Sequence, residues 1–106
     1  MNTRVFPRIP IHYPVLFSGD DLYGEGTVVD ISEDGCAVGS DATVRTGTCL
    51  TLDIFLPYQD LPIMVDQAVV RWSAGRVFGV EFLRMEPGDW KRLHQFINIG
   101  VTVPIH

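Results

Sequence analysis

Thr48-Cys49-Leu50-Thr51-Leu52-Asp53-Ile54-Phe55-Leu56 is the stretch that decides the fold class. Leu50, Leu52, Ile54 and Leu56 alternate with Cys49, Thr51, Asp53 and Phe55, a period of two with one strongly apolar face. That is the pattern of a β-strand resting on a core. On its C-terminal side, Pro57 and Pro62 bound a loop. Residues 63–72 and 76–82 then read as a hairpin about Ser73-Ala74-Gly75, with Phe78, Val80 and Phe82 on one face. On its N-terminal side, residues 36–40 form a short strand after a tight turn at Glu33-Asp34-Gly35. Residues 23–32, rich in β-branched Thr27, Val28, Val29 and Ile31, form another. Residues 12–18 are the first strand, ended by Gly19-Asp20-Asp21.

Beyond residue 82 the period becomes helical. Pro87 suits a first helical turn, and Glu86 and Asp89 favour the positive end of the helix dipole. Trp90, Leu93, Phe96 and Ile97 recur at helical spacing as a packing face, and Gly100 is the expected stop. Many short strands and one helix in 106 residues predict a single all-β domain, a barrel or a sandwich, with the helix over one opening.

Composition narrows the function. The chain is 46% hydrophobic and 20% charged, which is globular rather than disordered. No apolar run is long enough to span a bilayer, so no membrane insertion is expected. Arg4, Pro7, Arg8, Pro10 and His12 interrupt any leader-like apolar stretch, and the expected compartment is the cytoplasm. A net charge of −5 argues against a nucleic-acid partner. An oligonucleotide-binding barrel would interleave bases with exposed aromatics along its strands, where this chain has Asp53, Asp66 and Glu81. The charge is uneven, however. Arg4, Arg8 and His12 precede the first acids, Asp20 and Asp21, and such a cationic arm suits a small anionic ligand.

Catalysis finds no support. His12, His94 and His106 are scattered, and His94 falls among polar residues on the helix, where solvent exposure is expected. There is no phosphate-binding glycine loop, and neither a metal site nor a cofactor is expected. Cys36 and Cys49 read as two buried thiols, with a disulfide as the minor alternative.

Two short patterns carry chemistry. The first is Arg4-Val5-Phe6-Pro7-Arg8. Prolines at 7, 10 and 14 discourage helix, and in an extended segment Arg4 and Arg8 project to the same side. Two guanidinium forks can clamp one ligand through its phosphates, through the O6/N7 edge of guanine, or by stacking on a purine. The second is Asp30-Ile31-Ser32-Glu33-Asp34-Gly35. Asp30 and Ser32 share one strand face, and a carboxylate there can accept from the N1 and N2 donors of guanine. Gly35 permits a positive φ and close approach of the backbone to a ligand. Taken singly, these are solvated arginines on a terminal arm and an ordinary strand end.

Together, RxxxR followed by DxSxxG resembles the PilZ family, whose members bind cyclic di-GMP. Ile9-Pro10 after the arginines, Leu56-Pro57 after the fourth strand, and Gly79-Val80-Glu81-Phe82 before the helix extend the resemblance along most of the chain. It implies a six-stranded antiparallel β-barrel with one C-terminal α-helix. An arm of residues 1–11 would fold over a barrel and helix of residues 12–99, with residues 100–106 as a tail. The implied cyclic di-GMP ligands are Arg4, Arg8, Asp30, Ser32 and Gly35. Trp72 stands where family binders add a residue from the penultimate strand, and burial in the core is its competing reading.

The expectation is therefore a bacterial cyclic di-GMP receptor without catalytic activity. Its arm orders on binding and it signals to an unidentified downstream protein. The alternative is a PilZ-like interaction scaffold for type IV pili or motility that does not depend on nucleotide. In family members that hold two stacked nucleotides, an extra arginine precedes RxxxR. Thr3 stands there in this chain, so one nucleotide per chain is expected unless Arg71, Arg76 or Arg84 reaches the site from the barrel.

Overall fold

A computed structural model of the chain describes residues 9–102, with side chains over residues 12–98. Six strands, β1 (Ile9–Ser18), β2 (Tyr23–Ser32), β3 (Gly35–Gly39), β4 (Cys49–Ile54), β5 (Ile63–Ala74) and β6 (Val77–Met85), precede one helix, α1 (Pro87–Thr102). The strands close into a barrel in the order β1-β2-β3-β6-β5-β4, with every neighbouring pair antiparallel. The six-stranded antiparallel barrel with one C-terminal helix is thus the observed fold.

Alternation builds the core. Val15 and Phe17 on β1, Leu50, Leu52 and Ile54 on β4, and Phe78 and Val80 on β6 point inward and are buried. Phe17 and Phe78 meet edge to face, ring centres 5.3 Å apart, an arrangement aromatic quadrupoles favour. α1 adds Leu93 and Ile97 to the same cluster, and Phe96 packs edge-on against Tyr13. Burying each such side chain contributes roughly 1.5–3 kcal/mol.

Arg92 fixes how α1 meets the barrel. It donates to Gln59 Oε1, Leu61 O, Pro62 O and Asp89 Oδ1 at 2.7–2.9 Å, tying the 57–62 loop to the helix. Asp89 Oδ1 also accepts from the Met64 amide at the start of β5.

Several sequence expectations need correction. β1 begins at Ile9 rather than His12, because a register shift between Pro10 and Tyr13 accommodates a proline within the strand. β3 lies one residue earlier than expected, β4 is shortened to Cys49–Ile54, β5 runs on to Ala74, and β6 spans Val77–Met85, leaving Gly75 (φ 63°) and Arg76 as the turn. Gly100 does not stop α1, which continues to Thr102; glycine lowers helix propensity by about 1 kcal/mol but breaks no hydrogen bond. Cys36 is buried but Cys49 is exposed, since Cys49 shares the outward phase of β4 with Thr51. His94 is only partly exposed, and its Nε2 donates to Glu33 Oε1 across from α1 to the β2–β3 turn.

Candidate ligand-binding cleft

Of the second motif, Asp30 enters one registered row of the barrel wall. Asp30 on β2 is the partner of Ala37 on β3, Ala37 of Gly79 on β6, and Gly79 of Trp72 on β5. Partners in adjacent antiparallel strands point to the same face. The two smallest side chains, at Ala37 and Gly79, therefore form a floor between Asp30 and Trp72. Three strand spacings separate those walls, about 14 Å of barrel surface. The cleft has a volume of ≈ 470 Å³, within the ordinary range for small-molecule sites. Asp34, Gly35, Arg71 and Glu81 line it as well.

Irregularities in the ladder shape this cleft. The β2–β3 register shifts between Val28 and Asp30, and the β5–β6 register between Val70 and Trp72. The second shift leaves Arg71 as the extra residue of a bulge, beside Trp72 on the cleft wall. Bulges commonly re-aim side chains next to functional sites. A third shift lies in β1, where Pro10 is the partner of Asp30 and Ile9 the partner of Ile31. β1 therefore starts beside the cleft, one residue after Arg8.

Trp72 is 45% exposed, so it is a surface wall rather than core. Its indole lies against the β6 backbone, where a Cβ on Gly79 would come within 2.1 Å of the Trp72 Nε1. Gly35 serves a different need from the one its turn suggested. The positive-φ glycines among the described residues are Gly47 and Gly75. At Gly35 a Cβ would stand 2.2 Å from the Val80 carbonyl oxygen, so glycine there lets β3 lie close against β6.

Ser32 is 0% exposed and does not line the cleft. Its hydroxyl donates to Asp34 Oδ1 at 2.5 Å, with Gly35 O at 3.4 Å. It shapes the turn that presents Asp34 and Gly35. Behind that turn, Glu33 accepts from His94, whose ring lies 5.4 Å from that of Trp90. Arg4 and Arg8 lie outside the described residues.

From sequence, Arg71 is one of three barrel arginines that could reach the site, and Glu81 is not singled out as a wall residue. Arg71 donates from Nε to Glu81 Oε1 at 2.7 Å, and its Nη2 forms an ion pair with the same oxygen at 2.7 Å. Arg71 adjoins Trp72, and Glu81 belongs to the Gly79-Val80-Glu81-Phe82 signature, so both were adjacent to residues already singled out. Neither the bulge nor the cross-strand pair has a local sequence signal. Of the other barrel cations, Arg76 pairs with Asp41 at 3.5 Å and lines a separate cleft, and Arg84 lines a third beside Trp90. The described residues contain no cluster of side chains suited to a metal ion, and no helix long and apolar enough to cross a membrane.

The molecule is thus a closed six-stranded barrel with a shallow polar cleft on its wall. The PilZ domain family model matches residues 2–98, and the chain belongs to that family. Among solved structures, the Bacillus subtilis inhibitor of motility (MotI/DgrA) superposes with a TM-score of 0.75 at 24% identity. That match covers 92% of this chain but 50% of the other, so the chain spans about half the length of that protein. The PilZ domain of CeSA from a cellulose-synthesizing bacterium superposes with a TM-score of 0.68 at 16% identity, covering 87% of this chain and 95% of that domain. At these identities the likeness is one of fold. A search of curated proteins finds no match.

Proposed function

We propose that the chain is a cyclic di-GMP receptor that binds the nucleotide on the Asp30–Trp72 wall. The observation that carries this reading is the single row Asp30–Ala37–Gly79–Trp72, which sets a carboxylate and an indole on either side of a flat floor. Asp30 would accept from the N1 and N2 donors of one guanine, and Trp72 would stack on a base face. Arg4 and Arg8 would supply guanidinium forks from the segment leading into Ile9. At most 3.6 Å of chain per residue separates them from β1, so both can reach a ligand on the wall. The acidity of the whole domain opposes this little, because charges beyond ~8–10 Å are screened. The proposed mechanism is ordering of the arm on binding, which creates a surface for a downstream protein, with one nucleotide per chain, no cofactor, no metal and no catalytic step.

Calorimetry with cyclic di-GMP and cyclic di-AMP tests the reading. The wild type should bind the guanine form with one-to-one stoichiometry. Asp30→Ala should lose about 1.5–3 kcal/mol and part of the discrimination between the two. Arg4→Lys/Arg8→Lys should lose at least ~1.4 kcal/mol, because lysine offers no planar fork. A wild type that ignores both nucleotides would favour the alternative, an interaction scaffold of the pilus or motility type.

A further inference from the structure

We infer that Arg71 is a third guanidinium for the ligand, donating to a phosphate through the edge that Glu81 leaves open; this rests on the cyclic di-GMP reading above. Arginine has five N–H donors in a fixed planar fork. Arg71 donates Nε–H to Glu81 Oε1, and Nη2 pairs ionically with the same oxygen, so the side edge of the fork faces Glu81. The far edge, Nη1 with the outer Nη2 hydrogen, has no partner among the described residues. Arg71 is the bulge residue, its side chain is 57% exposed, and it lines the same cleft as Asp30 and Trp72.

The charge of the cleft points the same way. Asp30, Asp34 and Glu81 line it, and Arg71 is the one basic side chain among its described lining. A doubly negative nucleotide entering a wall of three carboxylates needs a cation on that wall, not only on the arm. Glu81 fixes one edge of Arg71 and so holds the other in a set direction, as carboxylates commonly orient guanidinium groups. In this arrangement Glu81 is a positioning residue and Arg71 is a ligand group.

The test uses the full chain and cyclic di-GMP titrations at low and high salt. Binding by the wild type must be established first, and its absence would sink the receptor reading rather than this one. With the wild type binding, Arg71→Ala should weaken affinity about tenfold, a loss of ~1.4 kcal/mol. Its affinity should also fall less between low and high salt, since a phosphate contact has gone. Glu81→Gln keeps the guanidinium but loosens its orientation, and should weaken affinity about threefold, a smaller loss than that of Arg71→Ala. Thermal melts of both variants should match the wild type closely, as exposed ion pairs contribute little to stability. Arg71→Ala within twofold of wild type would overturn the inference. So would an equal loss in Glu81→Gln, because the effect would then belong to the pair and not to the guanidinium.

Discussion

Two arginines in different settings of the fold are used in opposite ways. At the junction of α1 with the 57–62 loop, Arg92 makes four hydrogen bonds, two of them to backbone carbonyls, and its side chain is 31% exposed. On the cleft wall, Arg71 meets one oxygen of one partner and is largely exposed. A guanidinium whose donors are spent on the chain is part of the architecture. One with donors to spare is available to something else. The same contrast runs through the surroundings. The junction is bordered by buried Leu93 and Ile97, and the cleft by acids, an exposed indole and two residues with almost no side chain.

The contrast can be broken from either side. The largest effect is expected at the junction: Arg92→Ala should cost about 2–3 kcal/mol of stability in chemical denaturation, since it strands two carbonyls and leaves Asp89 with the Met64 amide alone. Affinity for cyclic di-GMP should stay within twofold, and a larger loss would mean that the junction and the cleft are coupled. Gly79→Ala should do the reverse. Its new Cβ collides with the Trp72 ring, which can swing outward, so stability should change by less than ~1 kcal/mol. Affinity should fall by about 1–2 kcal/mol through lost stacking, and unaltered affinity would remove Trp72 from the site. The smallest effect belongs to the pair that bridges the two regions. His94→Ala releases Glu33 behind the turn carrying Asp34 and Gly35, and should cost under ~1 kcal/mol of stability and about twofold in affinity. A tenfold loss of affinity there would make α1 part of the binding apparatus.

How far the sequence could be read follows from how local each determinant is. The alternation of residues 48–56 gave β4 and its buried face, because side-chain direction in a strand is set by the strand itself. That same alternation already placed Cys49 beside Thr51 on the outward phase; apolar composition was the poorer guide. Asp30 and Trp72 were legible as site candidates from motif and position. That they share a row with Ala37 and Gly79 was not, because register depends on bulges in β2 and β5 that no short motif announces. Gly35 was noticed for its turn, but its need for a bare α-carbon comes from the Val80 carbonyl on a strand distant in sequence. His94 looked exposed among polar helix residues, because its partner Glu33 lies in the β2–β3 turn.

The order of strands around the ring also bears on how the molecule comes into being. β3 pairs with β6, and β1 with β4, so two of the six seams join segments that are not consecutive in sequence. Such seams carry a large loop-closure entropy and make small β-barrels slow folders relative to helical domains. The cleft draws on β2, β3, β5 and β6, and its floor spans the β3–β6 seam. It therefore does not exist until that long-range seam has closed. A ligand of this wall recognises only chains that have finished folding, and its binding energy adds directly to the native state as RT ln(1 + [L]/Kd). On the receptor reading proposed above, nucleotide concentration would shift the folding equilibrium of the protein toward the native state.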